Sequence, residues 1–544
     1  MAPCGQHSEP PAAPADHGPG APRIRSWLGP WPWRWRAAGL AVAAVFALLA
    51  GRFWHPHYGF TKFVQLDEAD ARTGIPEIRA YPVFTYEGFH GYDGAAYAQI
   101  AFHPLLDSPA LPGAIDSLPY RARRILGSAL AWLLAGGRPD RIASTYAALN
   151  LGVWFVFAAL LWRVLGVADF RGWLAWTGVV LSAGALHSVR LALTDLLAAT
   201  LLTAAIHGEE RGRGRSALGL LALAGLARET ALAGVVALWR GPWQARSAWG
   251  GNLLRSGLAA LPLLGWVTYV QWRIGPAGQG WGNLTWPVAG WIEKWAEIAG
   301  DYVRHPQFTW LITTTLLATC ALTVQGAYLV RRPSWDDRWW RVGATGVAML
   351  LCLGTSVWEG HPGAATRILL PLGVAFAVLA VRARAHAGWI AAGGLTVFSG
   401  VLALWHVPAG ARELAAGNSR GGTYLARIDG GFYGIEQSRG SLWTWAANQG
   451  TLQVTTFPPA SAPLHLRLRV RGMSPREIEV RHGETTAFRG PIPTRPTWID
   501  LPPLTPAAGG VLRLEVRSAA APVRESEQRD ARLLGFAVSG VEVK

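Results

Sequence analysis

Charge is scarce in this chain. Asp, Glu, Lys and Arg make up 15% of its 544 residues, against 51% hydrophobic residues. Lysine is nearly absent, so the formal net charge of +16 is carried almost wholly by arginine. Cysteine is scarcer still: Cys4 lies near the start, and Cys320 and Cys352 fall inside apolar runs. Such spacing offers neither a disulfide framework nor a zinc site, and no His/Asp cluster has metal-ligand spacing. Neither metal nor cofactor is therefore expected. The arginines are dispersed between apolar runs instead of forming one basic patch. That pattern orients a protein in a membrane and argues against nucleic acid as a partner.

Tryptophan, at 29 residues, and long apolar runs are plentiful. Several runs reach the roughly 20 residues that cross a bilayer. The chain reads as a polytopic α-helical membrane protein of about 10–12 spans, followed by a small all-β sandwich. Residues 1–30, rich in Pro, Ala and Gly, read as a disordered cytoplasmic tail; 31–406 form the membrane domain and 407–544 the β-domain. "WPWRWR" precedes the run Ala37–Ala50 without a small-residue cleavage pattern, and so reads as a retained anchor.

Arginine-rich stretches mark the cytoplasmic ends of spans. They include "WRVLGVADFR", "HGEERGRGR", "WRGPWQARSAW", "RRPSWDDRWWR" and "RARAH". With all of them inside, residues 53–141 form a first outer loop. Ile142–Leu165 returns, Gly172–Leu186 exits and Leu191–Ile206 returns. Leu218–Leu238 must begin and end inside, as a bent hairpin with its tip near Arg228. Leu253–Trp272, Phe308–Val330, Val342–Trp358, Ile368–Val381 and Gly388–Trp405 then alternate, leaving the β-domain outside the cytoplasm. Arg124–Gly137 is apolar but too short to span, and reads as an interfacial helix of the first loop.

This topology brings the unusual polar residues toward one face. They are Asp93, the turn with His187, Arg190 and Asp195, the tip with Arg228 and Glu229, and the segment with Glu359, His361 and Arg367. Ionisable groups at membrane depth are costly, so they line cavities or pair with one another. Asp93 sits where a helix N-cap belongs, ahead of Tyr97, Ile100 and Ala101 at helical spacing. An amphipathic helix capped by Asp93 is expected there.

"GYDGAAYAQIA", "LPYRARRIL", "LTDLLAATLL", "LALAGLARETAL" and "EGHPGAATRILLPL" occur in that order. In these stretches the chain resembles the GT-C class of membrane glycosyltransferases, bacterial relatives of protein O-mannosyltransferases and aminoarabinose transferases. The resemblance covers about Arg36–Trp405, and "DGxxYxxIA" is its most specific part. It implies inverting transfer of a sugar from a polyprenyl-phosphate donor, on the periplasmic face of the inner membrane, to a glycan, lipid or protein. The family's catalytic acid falls on Asp93. Many relatives carry two adjacent acids in this loop, whereas here the other nearby acid is Glu87.

The chemistry fits these residue types independently. A positioned carboxylate takes the proton of an attacking hydroxyl, and arginines stabilise a leaving phosphate. Arg121, Arg124, Arg228 and Arg367 are the candidate phosphate ligands. His90, Tyr92, Tyr97, His187, Arg190, Asp195, Glu229, Glu359 and His361 are the candidate cavity residues.

After Trp405 the pattern becomes alternation of period two, as in "LHLRLRVR", "EIEVR" and "VLRLEVRS". "GGFYGIE", "LWTWA" and "DARLLGFAV" resemble the jelly-roll carbohydrate-binding-like domains attached to some membrane glycosyltransferases. Phe432, Tyr433, Trp443 and Trp445 are the candidate sugar-stacking residues, with core packing as the competing role. Two other classes compete for the whole chain. A transporter or flippase of lipid-linked sugar should show internal repeats, and none is visible. A catalytically silent scaffold would keep the β-domain and dispense with Asp93.

Overall fold

The computed structural model describes residues 33–88, 91–241, 248–276, 281–408, 410, 412–438, 441–524 and 532–544. Four helices in these residues are long and apolar enough to cross a membrane: Trp33–Gly51, Pro139–Leu165, Trp249–Arg273 and Pro306–Arg331. The bent pair Ala387–Gly393 and Val397–Trp405 adds a fifth when counted as one span. They carry their apolar side chains outward. Leu40, Val45 and Leu48 on the first, and Leu254, Leu258 and Leu261 on the third, are exposed. Such stripes are unfavourable against water and are what hydrocarbon requires, the mark of an integral membrane protein.

Several other apolar runs are interrupted. The run Gly172–Leu186 divides between helices Phe170–Val180 and Ala183–Arg190, and Val342–Trp358 divides after Cys352. Leu218–Leu238 breaks at Arg228, whose backbone is extended, and continues as a 3-10 helix over Glu229–Leu238. Ten residues is long for that geometry, whose hydrogen bonds are poorer than those of an α-helix. Tight ring contacts knit the bundle, such as Phe46 stacked on Trp154 at 3.7 Å between centroids.

The first loop folds into short helices packed on the bundle. Helix Ile125–Leu134 buries Ile125, Gly127, Ser128 and Ala131 and leaves Leu133 and Leu134 exposed. Helix Asp93–Phe102 is not amphipathic as expected: every residue from Gly94 to Phe102 is buried. Loop segments cover the side that local periodicity assigned to solvent. Gln99, for example, accepts a hydrogen bond from the Ile75 N–H at 3.0 Å.

The C-terminal domain is an antiparallel sheet of ten strands, nearly barrel-shaped, with its own hydrophobic core. The strand Ser441–Phe457 runs through its centre and pairs with Gly422–Phe432, Val511–Arg517 and Phe536–Val543. The domain docks on the first loop through Tyr58, Phe84, Tyr86 and Leu425. Arg427 donates to Glu87 at 2.6 Å across the same junction. Glu87 is therefore a docking residue and does not stand beside Asp93.

Candidate functional site

The site begins where helix Asp93–Phe102 starts. A Cβ on Gly94 would lie 2.3 Å from the Leu191 carbonyl oxygen and 2.8 Å from that of Val64. Only glycine admits so close an approach, and it fixes Asp93 against the bundle. Tyr92 is the N-cap and Asp93 the first helical residue, with no side-chain capping bond. The capping role expected of Asp93 is absent, because its carboxylate turns toward Arg121 instead.

Arg121 Nη1 donates to Asp93 at 2.6 Å. Its Nε and Nη2 form a two-point contact with Asp116, each at 2.9 Å. Asp116 is thus joined to Asp93 through a shared guanidinium. Burial alone would raise the pKa of Asp93. The Arg121 charge and hydrogen bond, with Arg367 and Arg124 behind it, hold that carboxyl below the usual carboxylate range.

Asp93 borders a cavity of about 1040 Å3, lined by five arginines and two carboxylates. The arginines differ sharply in how they are engaged. Arg124 is heavily engaged: it contacts Glu229 at 3.0 and 2.8 Å, and donates to the hydroxyls of Tyr97 and Tyr120 at 2.9 Å each. Four of its five N–H donors are thus engaged inside the protein, so it braces the cavity wall that it also lines. Arg228 meets the buried Asp195 at 2.6 Å, and Arg367 lies 3.8 Å from the other oxygen of Asp195. Arg367 also donates to the Tyr92 hydroxyl at 2.6 Å. Arg123, which the sequence reading passed over, lines the same cavity. It stacks on Tyr120 at 5.9 Å and has no carboxylate partner among the described residues.

Other expected cavity residues lie elsewhere. Tyr97 is buried beneath the wall as the Arg124 acceptor, and Asp195 sits behind the two arginines it joins. Arg190 stacks on Phe53 at 5.0 Å and ties its helix to the first loop. His187 faces Ser399 at 3.4 Å. His361 contacts Thr315 at 3.1 Å, and Glu359 is exposed. None of these four lines the cavity. A shared membrane face fixes depth and leaves lateral position open, which is why they scatter. His90 lies outside the described residues.

In the β-domain, Trp445 is buried with Leu534 and Ala537 and offers no face to a sugar. The Tyr433 hydroxyl donates to the Leu533 carbonyl at 3.1 Å, and Phe432 packs edge-on against Phe536 in the core. Trp443 is half-buried, its indole N–H given to Glu436 at 3.0 Å. Among the described residues no three His, Cys, Asp or Glu side chains converge as a metal site requires. No protein-family model matches this chain, and no curated protein matches it.

Proposed function

We propose that the protein is an inverting membrane glycosyltransferase of the GT-C type, and that the arginine-lined cavity is its reaction chamber. The observation that carries this reading is one carboxylate, Asp93, at the edge of a 1040 Å3 cavity in which arginines outnumber acids. A polyprenyl-phosphate sugar supplies the matching negative charge and an apolar tail for the surrounding lipid. In this reading the interrupted apolar runs complete a bundle of about 10–12 crossings, the cavity faces the periplasm and the β-domain is jelly-roll-like.

Asp93 accepts the proton of the acceptor hydroxyl as that oxygen bonds to the anomeric carbon. The bond from that carbon to the phosphate oxygen breaks on the opposite face. Arg123 and Arg367 take up the charge that the phosphate gains. A carboxylate held at low pKa is a weak base. The donor phosphate relieves this by drawing Arg121 from Asp93, while Asp116 keeps the guanidinium in reach.

Asp93→Asn tests the reading. Asparagine preserves the size and cannot take the proton, so transfer from a polyprenyl-phosphate donor should fall by about two to four orders of magnitude. The half-open ion pair with Arg121 contributes at most about 1 kcal/mol, so thermal unfolding should barely change. A folded Asp93→Asn protein that transfers sugar at the wild-type rate overturns the proposal.

A further inference from the structure

The strand Leu466–Gly472 alternates, turning Leu466, Leu468 and Val470 into the core and Arg467, Arg469 and Arg471 outward in one row. Arg467 is neutralised by Asp500 at 3.0 Å and Glu542 at 3.6 Å. Arg469 and Arg471 have no carboxylate partner among the described residues. Arg471 lies flat on Trp445 at 4.7 Å, and its Nε is buried without a hydrogen-bond acceptor. A solvated arginine row ordinarily lies on a convex strand surface. This one borders a hollow of about 560 Å3, walled by Trp443 and Trp498 and floored by Ser539.

Two local features make the hollow. The strand Phe536–Val543 bulges between Val538 and Gly540, which turns Ser539 into it. A Cβ on Gly540 would come 3.1 Å from the Trp498 ring, so glycine lets the indole lie close over the strand. The result sets the Trp498 indole, with Arg467 over its ring at 5.2 Å, hydroxyls, the Glu542 carboxylate and the guanidinium groups of Arg469 and Arg471 around one concavity. None of the aromatic residues singled out in the sequence except Trp443 takes part.

We propose that this groove binds an acidic saccharide, with its carboxylate held by Arg469 and Arg471 and a sugar ring laid against Trp498. Guanidinium groups recognise carboxylates through paired hydrogen bonds, and the apolar face of a pyranose packs on an aromatic ring. Neither arginine alone nor tryptophan alone selects for both features. This site is separate from the arginine-lined cavity and does not depend on the transferase reading.

The test uses the full-length protein in lipid nanodiscs on an array of uronate-bearing oligosaccharides, their methyl esters and neutral oligosaccharides. The wild-type protein should retain uronate-bearing chains at least tenfold more tightly than their methyl esters. Arg471→Gln and Trp498→Leu should each lose tenfold or more at unchanged melting temperature, whereas Asp93→Asn should bind like wild type. An array without a retained acidic chain overturns the proposal, as does equal retention of the esters. If Trp498→Leu binds at full strength, the row is a plain charge patch that holds any polyanion, a lipid headgroup included, and the proposal fails.

Discussion

The two ends of the helical domain are built from the same residue types and do opposite things with them. At one end Glu209 is clamped by Arg240 at 3.1 Å and Arg255 at 2.8 Å, and Glu210 by Arg382 at 2.8 Å. The hollow nearest in sequence to Arg240, lined by Trp239, Gly241 and Asn252, measures about 50 Å3. At the other end Arg121 and Arg228 also have close partners, but Arg123 meets no carboxylate among the described residues and the walls stand apart around about 1040 Å3. The difference lies less in the number of charges than in whether each arginine meets an acid directly or borders a cavity.

Gly94→Ala should break this contrast most severely. The new methyl cannot fit against Leu191 and Val64, so the helix start must move and carry Asp93 with it. A displacement of about 1 Å from reacting geometry costs roughly 100-fold in rate. Transfer assays at matched protein level should show that loss, and wild-type activity in Gly94→Ala would detach the close approach from function.

A paired comparison of Arg255→Gln with Arg123→Gln comes next. Arg255→Gln leaves a buried acid with one partner instead of two, which should cost up to about 3 kcal/mol. Its melting temperature should drop while the surviving protein keeps its kcat/KM. Arg123→Gln should do the reverse, with unchanged melting and a roughly tenfold rise in donor KM, the worth of one charge-assisted contact. If the two variants behave alike, the ends do not differ in role.

The smallest effect is on pH. Asp93 is ionised wherever pH exceeds its lowered pKa, so its pairing with Arg121 is lost only as pH falls through that value. The acid limb of kcat/KM should accordingly lie below the ordinary aspartate range. Residual activity of Arg121→Gln should show that limb displaced toward neutral pH, and an unmoved limb would remove Arg121 from the control of Asp93.

The β-strands and the critical loop were legible in the sequence for different reasons. Alternation in "LHLRLRVR" and "VLRLEVRS" survives because one face of each strand is buried. The stretch "LWTWA" and the following "TLQVTT" belong to one strand, since the polar Asn448–Gly450 between them stays in the ladder. The break at Arg228 was visible because arginine-rich stretches flank both ends of Leu218–Leu238, so the run has to turn back within itself. The covering of helix Asp93–Phe102 was not, because the covering chain is distant in sequence. Arg123 and Asp116 escaped notice for a similar reason. Their worth depends on which neighbour is already taken, and pairing is settled only in three dimensions.

The dense bonding of Arg124 has a mechanical consequence. Through Glu229 it welds the first loop to the hairpin tip, and through Tyr97 and Tyr120 it locks two short helices of that loop to the same point. Beside it Asn283 donates to the Tyr120 hydroxyl at 3.5 Å and accepts the Gly354 N–H on its own carbonyl at 2.9 Å. The hairpin tip and the two short helices that carry Asp93 and Arg121 are therefore cross-braced into a single wall of the chamber.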